Sequence, residues 1–220
     1  MKLNIKIPTS LKDITLRQYK RFLAVQKQTK ENIFLNAKMI EIFCNVELQK
    51  VMLLKVSDTD NICSKISNMF EQKPELVKKF KIKNVQYGFH TNIDELSLGE
   101  YIDLDNNIGD WENMEKAMNV LYRPILVSLR NKYSIEEYNT ATSENVLDMP
   151  MDAVLSSVFF LWNLGLELSQ IMTNYLESPQ VQEDNPALIA YLNSPQNGVG
   201  ISQFTDSLKE ILQDLKISLN

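Results

Sequence analysis

The sequence predicts a mainly α protein: an irregular helical bundle with a small β element and a long buried helix near 150–176. Three observations carry this reading. The same helix start is written twice, at 9–19 and 91–101, 82 residues apart. Apolar residues recur at three- and four-residue spacing along most of the chain, and strict alternation is confined to 2–7 and 80–90. The stretch from Pro150 to Leu176 is apolar on nearly every face, as expected of a helix at the centre of a core.

In chain order, Leu3, Ile5 and Ile7 fall on one face of an extended arm or short strand that Pro8 stops. Thr15 and Gln18 then form a capping box, and Ile14 with Tyr19 a hydrophobic staple, at the start of a helix carrying Leu16, Tyr19, Phe22 and Leu23 inward. A second helix is expected from about Thr29 to Cys44, with Ile33, Ala37, Ile40 and Cys44 on its buried side. A short helix follows at about 47–55. Ser57 or Asp58 is expected to cap another, with Ile62, Ile66, Met69 and Phe70 facing inward. Pro74 suits the first turn of a small helix ending near Lys79.

Phe80 to Phe89 alternates and is the strand candidate of the middle of the chain. Ser97 and Glu100 repeat the capping box, and Leu96 with Tyr101 the staple, for a helix of about 98–104. Asp110 is expected to cap a helix from Trp111 to Tyr122, whose stripe is Trp111, Met114, Ala117, Met118, Leu121 and Tyr122, and Pro124 interrupts it. Ser134-Ile135-Glu136-Glu137 spells a further capping box and a short helix. In the long helix the uncharged run between Asp152 and Glu167 is 14 residues, short of the roughly 20 needed to cross a bilayer. No membrane span is therefore expected.

Three regions result: a helical core with a small β element over 1–176, a polar linker over 177–200, and an amphipathic helix over 201–220. The C-terminal stripe of Phe204, Leu208, Ile211 and Leu215 is the expected partner-binding face, docking either on its own core or on another subunit.

The net charge is −5, which disfavours general binding to a phosphate backbone, so no specific nucleic-acid binding is expected. One basic cluster exists, at Lys73, Lys78, Lys79, Lys81 and Lys83. It reads as a solvated face, with a patch for an acidic or nucleic-acid partner as the alternative. The two cysteines, Cys44 and Cys63, lie in apolar helical patterns and are expected as buried thiols. The N-terminus has no continuous apolar stretch of the kind that marks a secretory signal, so synthesis in a cytoplasm is expected.

No catalytic, cofactor or metal site is expected. The run from Asp103 to Asp110 resembles half a calcium loop, but Ile108 stands where glycine is required and Met114 where the bidentate glutamate is required. His90 is the single histidine, too few for a zinc site with these cysteine positions. No phosphate-binding glycine loop and no nucleophile elbow is present. Arg123 and Arg130 read as surface ion-pairing or helix-capping cations.

The segment from Asn92 to Ile125 carries a resemblance. It reads Ile93-Asp94-Glu95-Leu96-Ser97-Leu98-Gly99-Glu100-Tyr101-Ile102-Asp103-Leu104, then Met114, Met118 and Leu121-Tyr122-Arg123-Pro124-Ile125. It resembles a family of small proteins encoded among the structural and tail-assembly genes of tailed bacteriophages, of the crAss-like phage type. The resemblance implies a non-enzymatic virion protein, packed as cargo in the capsid or tail or taking part in head–tail assembly. Its expected partners are other phage structural proteins (portal, tail or capsid components), with self-association open. Its expected place is the virion interior, after synthesis in the bacterial host. A helical bundle with local contacts also unfolds more readily for passage through a tail. The alternative is a tail-assembly chaperone absent from the mature particle.

Overall fold

The structure is a computed structural model that describes residues 5–90, 92–130, 132–141, 144–176 and 209–210. Four helices come first: α1 (Leu16–Gln28), α2 (Asn32–Phe43), α3 (Leu48–Val51) and α4 (Val56–Phe70). Strands β1 (Lys79–Ile82) and β2 (Val85–Phe89) follow, then α5 (Leu98–Ile108) and α6 (Met114–Leu121), then β3 (Tyr122–Leu129) and β4 (Lys132–Ile135), and finally α7 (Met151–Leu176). The strands form one antiparallel sheet in the order β1-β2-β3-β4. The mainly α class with a small β element therefore stands, but the β element is differently composed.

The N-terminal arm supplies no strand over its described residues. Ile5 and Ile7 pack on the core without joining a ladder. Beyond β1, the partner of β2 comes instead from 122–124, and β3 then turns back through Arg130, at φ 53°, to pair with β4. The expected helix at Ser134 is thus strand. Its alternation hides Tyr133 and Ile135 and exposes Lys132 and Ser134. Tyr133 lies across Gly88, where a Cβ would sit 2.3 Å from its ring, and donates its hydroxyl to the Phe89 carbonyl at 2.7 Å. Only glycine at 88 leaves room for that ring.

Nor does Pro74 open a helix. Residues 73–78 form neither helix nor strand, and distant groups satisfy part of their backbone. The Val77 N–H donates to Ser156 Oγ at 3.1 Å, the Tyr122 hydroxyl donates to the Val77 carbonyl at 2.8 Å, and the Phe89 N–H donates to the Lys78 carbonyl at 2.9 Å. Helix α6 starts three residues later than expected, because Asp110 accepts from the Glu112 N–H and the Asn113 amide and holds 111–113 as a turn. Helix α2 starts after Thr29 and leaves Ile33 77% exposed. Helix α4 starts at Val56, ahead of Ser57 and Asp58.

Two aromatic groups organise the core. Tyr19, Phe22, Phe43, Phe70 and Trp111 join α1, α2, α4 and the turn before α6. Phe80, Tyr87, Phe89, Tyr122 and Phe160 join the sheet to α7. The first half of α7 is wrapped on all sides, with every residue from Met151 to Val158 buried. Ser156 and Ser157 survive there because each hydroxyl donates to a carbonyl one turn back. The first residues of α1 and α7 are tied together: the Leu16 N–H donates to the Met149 carbonyl and the Met151 N–H to the Ile14 carbonyl.

Candidate interaction surface

The repeated helix start shows how local grammar and tertiary structure share one side chain. In the first copy Gln18 Oε1 accepts from the Thr15 N–H at 2.9 Å, and Gln18 Nε2 donates to the Ile42 carbonyl at 2.7 Å. In the second, Glu100 Oε2 accepts from the Ser97 N–H at 2.8 Å, and Glu100 Oε1 meets Arg123 Nη2 at 2.9 Å. Each residue caps its helix with one atom and clasps a distant segment with the other. An amide is needed where the partner is a carbonyl, and a carboxylate where it is a guanidinium.

Arg123 is consequently not a surface cation. Arg123 and Glu100 are 6% and 7% exposed, and their pair ties the root of β3 to the inner side of α5. Burial pushes the Glu100 carboxyl up, but the hydrogen bonds from Ser97 and the charge of Arg123 outweigh it and hold it below its ordinary value. Tyr138 closes the group, donating to Asp103 at 2.6 Å with the guanidinium carbon 5.9 Å from its ring. His90 sits beside the pair, and burial, then Arg123, lowers its pKa.

Around this anchor the chain presents three apolar surfaces. On α5, Leu98, Tyr101 and Ile102 lie on one stripe and are 75%, 50% and 47% exposed. The two motif copies therefore differ in burial, because Leu16 and Tyr19 at the matching places are fully buried. The expected second staple is open at Tyr101. In the β3–β4 hairpin, Leu126, Val127 and Leu129 are all more than 60% exposed. Neighbours on a strand point to opposite faces, so both faces of the hairpin tip meet solvent. On α7, Leu166, Leu168 and Ile171 are exposed, and the long helix is a core helix only over its first half. Residues Met151–Leu168 are long and apolar enough to cross a membrane by length and composition, with mean hydropathy 1.3, and 56% of that stretch is buried within this fold.

The expected partner-binding stripe of Phe204, Leu208, Ile211 and Leu215, and the linker 177–200, lie outside the described residues. Sequence reasoning missed the exposed stripes of α5 and of the hairpin. Leu98 and Ile102 share a helix with the buried Leu104 and Ile108, so spacing alone gives α5 two apolar sides.

A cleft of about 870 Å³ lies between the end of α1, the start of α2 and the α5–α6 turn, with Phe22, Leu23, Leu35, Met39 and Trp111 in its lining. Lys27 and Glu112, both in its lining, form an ion pair, and Lys20 of the lining pairs with Glu115 outside it. The buried Trp111 indole N–H has no hydrogen-bond partner among the described residues. Both cysteines are buried, and burial pushes each thiol up to about 11, so little reactive thiolate forms at neutral pH. Asp103 and Asp105 are helical residues of α5 rather than a calcium loop, and among the described residues no group of three or more His, Cys, Asp or Glu could hold a metal. Compared with known proteins, the chain matches no family model, no curated protein and no solved structure.

Proposed function

We propose that this chain is a non-enzymatic protein of a tailed-phage virion that works through protein–protein contacts, as capsid or tail cargo or in head–tail assembly. The observation that carries the interaction reading is the set of apolar surfaces on α5, the hairpin tip and outer α7, which a lone soluble protein has no reason to keep wet together. The phage assignment rests on the motif of residues 92–125. Two of its residues, Glu100 and Arg123, form the buried clasp, so the motif has a physical reason to be read as one unit.

Quantitative mass spectrometry of gradient-purified particles of the phage that encodes the chain tests this. Many copies per particle are expected. Abundance in infected cells with absence from particles would replace the virion reading with that of a tail-assembly chaperone, which holds other tail proteins and departs.

A further inference from the structure

Charge is divided unevenly over this molecule. Residues 76–90 and 122–135, which make the sheet and its approach, carry seven Lys or Arg and no Asp or Glu. Residues 91–115, which make α5 and its flanks, carry eight Asp or Glu and no Lys or Arg. Arg123 and Glu100 neutralise each other inside, and Glu112 and Glu115 pair with Lys27 and Lys20. What remains outside is complementary. The hairpin tip sets exposed Leu126, Val127 and Leu129 beside Arg130 and Lys132, with Lys79 lying over the Tyr133 ring at 4.5 Å. The outer side of α5 sets exposed Leu98, Tyr101 and Ile102 among exposed Asp94, Glu95 and Asp105. No ion pair among the described residues uses Asp94, Glu95, Asp105, Arg130 or Lys132.

We infer that the β3–β4 hairpin tip of one copy docks on the outer stripe of α5 of a second copy, joining copies head to tail. Each patch has an apolar centre and a charged rim, and the two rims have opposite sign, the arrangement that selects a partner and fixes its register. Only Tyr122, Arg123 and Pro124 of β3 pair with β2, and past the register shift at Ile125/Val127 the strand pairs with β4 alone, which leaves Leu126, Val127 and Leu129 exposed at the tip. The clasp between Glu100 and Arg123 holds the root of the hairpin on the inner side of α5, while the stripe faces outward, and both patches are exposed within one copy. Because the two patches differ, each joined copy leaves one of each free. The assembly closes into a ring if the rotation allows and otherwise extends. This inference stands whatever particle the chain belongs to.

The test is sedimentation of the full chain over a range of concentrations at low and high salt. It uses a tip variant (Leu126→Ser with Leu129→Ser) and a stripe variant (Leu98→Ser with Ile102→Ser). All four side chains are exposed, and unchanged circular dichroism and thermal midpoints establish that both variants fold. The wild-type mass is expected to rise with concentration above 25.4 kDa and to fall with added salt. Each variant alone is expected to stay at the mass of one copy. Their equimolar mixture, which holds one live tip and one live stripe, is expected to stop at a pair. A second set reverses the rims, Arg130→Glu with Lys132→Glu against Asp94→Lys with Glu95→Lys. Each reversal alone should dissociate the assembly, and mixing the two should restore it. A wild-type chain that stays a single copy at every concentration overturns the inference, as does association that survives in both apolar variants. Loss, in the tip variant alone, of binding to anionic vesicles or to heparin by a single-copy wild type would give the tip to a lipid or polyanion instead.

Discussion

Glu100 is buried, charged and used twice, so its removal should be felt more than that of any surface charge. Changing Glu100→Gln keeps an oxygen for the Ser97 cap but leaves the Arg123 guanidinium inside without a counter-charge. The expected cost is about 3 kcal/mol, the lower end of the range for deleting one partner of a buried pair. Asp148→Asn is the contrast. Its partner Arg17 is 42% exposed at the side chain, and an exposed pair contributes at most about 1 kcal/mol. Urea midpoints of the two variants check the difference, and equal shifts would show that the clasp is not specially buried. His90, beside the same pair, gives stability a pH dependence. Burial and Arg123 hold its folded pKa below the ordinary value of 6.5, against the raising influence of Glu100 and Glu95. Below 6.5 the unfolded chain therefore takes up a proton that the folded chain refuses, and stability is lost as pH falls toward the folded value. The wild type should lose urea resistance between about pH 7.5 and about pH 5.5, and His90→Asn should lose less over the same interval. Parallel curves would remove His90 from the account.

At the scale of elements, α7 is two helices in one. Leu155 is fully buried in its first half, while Leu166, Leu168 and Ile171 are wet in its second. Leu155→Ala should cost about 2–5 kcal/mol, whereas replacing the three outer residues by serine should change stability by no more than about 0.5 kcal/mol each, as for other surface sites. Thermal unfolding of the two variants would settle whether the outer half belongs to the core. The same helix shows what sequence can and cannot convey. Its existence and its start after Pro150 were readable, because spacing and a proline at the first turn are local signals. The burial of only half of it was not, because Leu155 and Leu166 are the same residue type at the same kind of spacing. The capping boxes at Thr15 and Ser97 were readable for the same local reason. The β3–β4 hairpin was not. Its strands are held by Tyr133 crossing Gly88, 45 residues back, and Ser134-Ile135-Glu136-Glu137 imitates a helix start that distant pairing overrides. The stripe on α5 was hidden by the buried residues that share its helix, and Arg123 was read as exposed because its counter-charge is reached only through the fold.

For the whole molecule, the question is where the folded unit ends and the contact-making parts begin. Every buried residue among the described ones lies between Pro8 and Leu161, apart from Gly165. The segment 201–220, with its stripe of Phe204, Leu208, Ile211 and Leu215, thus contributes no described residue to that core. Deleting it should leave the thermal midpoint of the core within about 2 °C of the full chain, since a loss of 1 kcal/mol moves a domain of this size by roughly 2–4 °C. Association with the proposed partner of the stripe should disappear in the same variant. The two readouts separate the two places the segment can occupy. If the midpoint falls by many degrees, the stripe covers exposed apolar surface of its own molecule. If the midpoint holds and association is lost, core and contact surface are separable, and a protein that is mostly local helix can be unfolded and refolded without its partner. Head-to-tail joining through the hairpin and α5 should survive the deletion in either case, because both of its patches lie within 94–132.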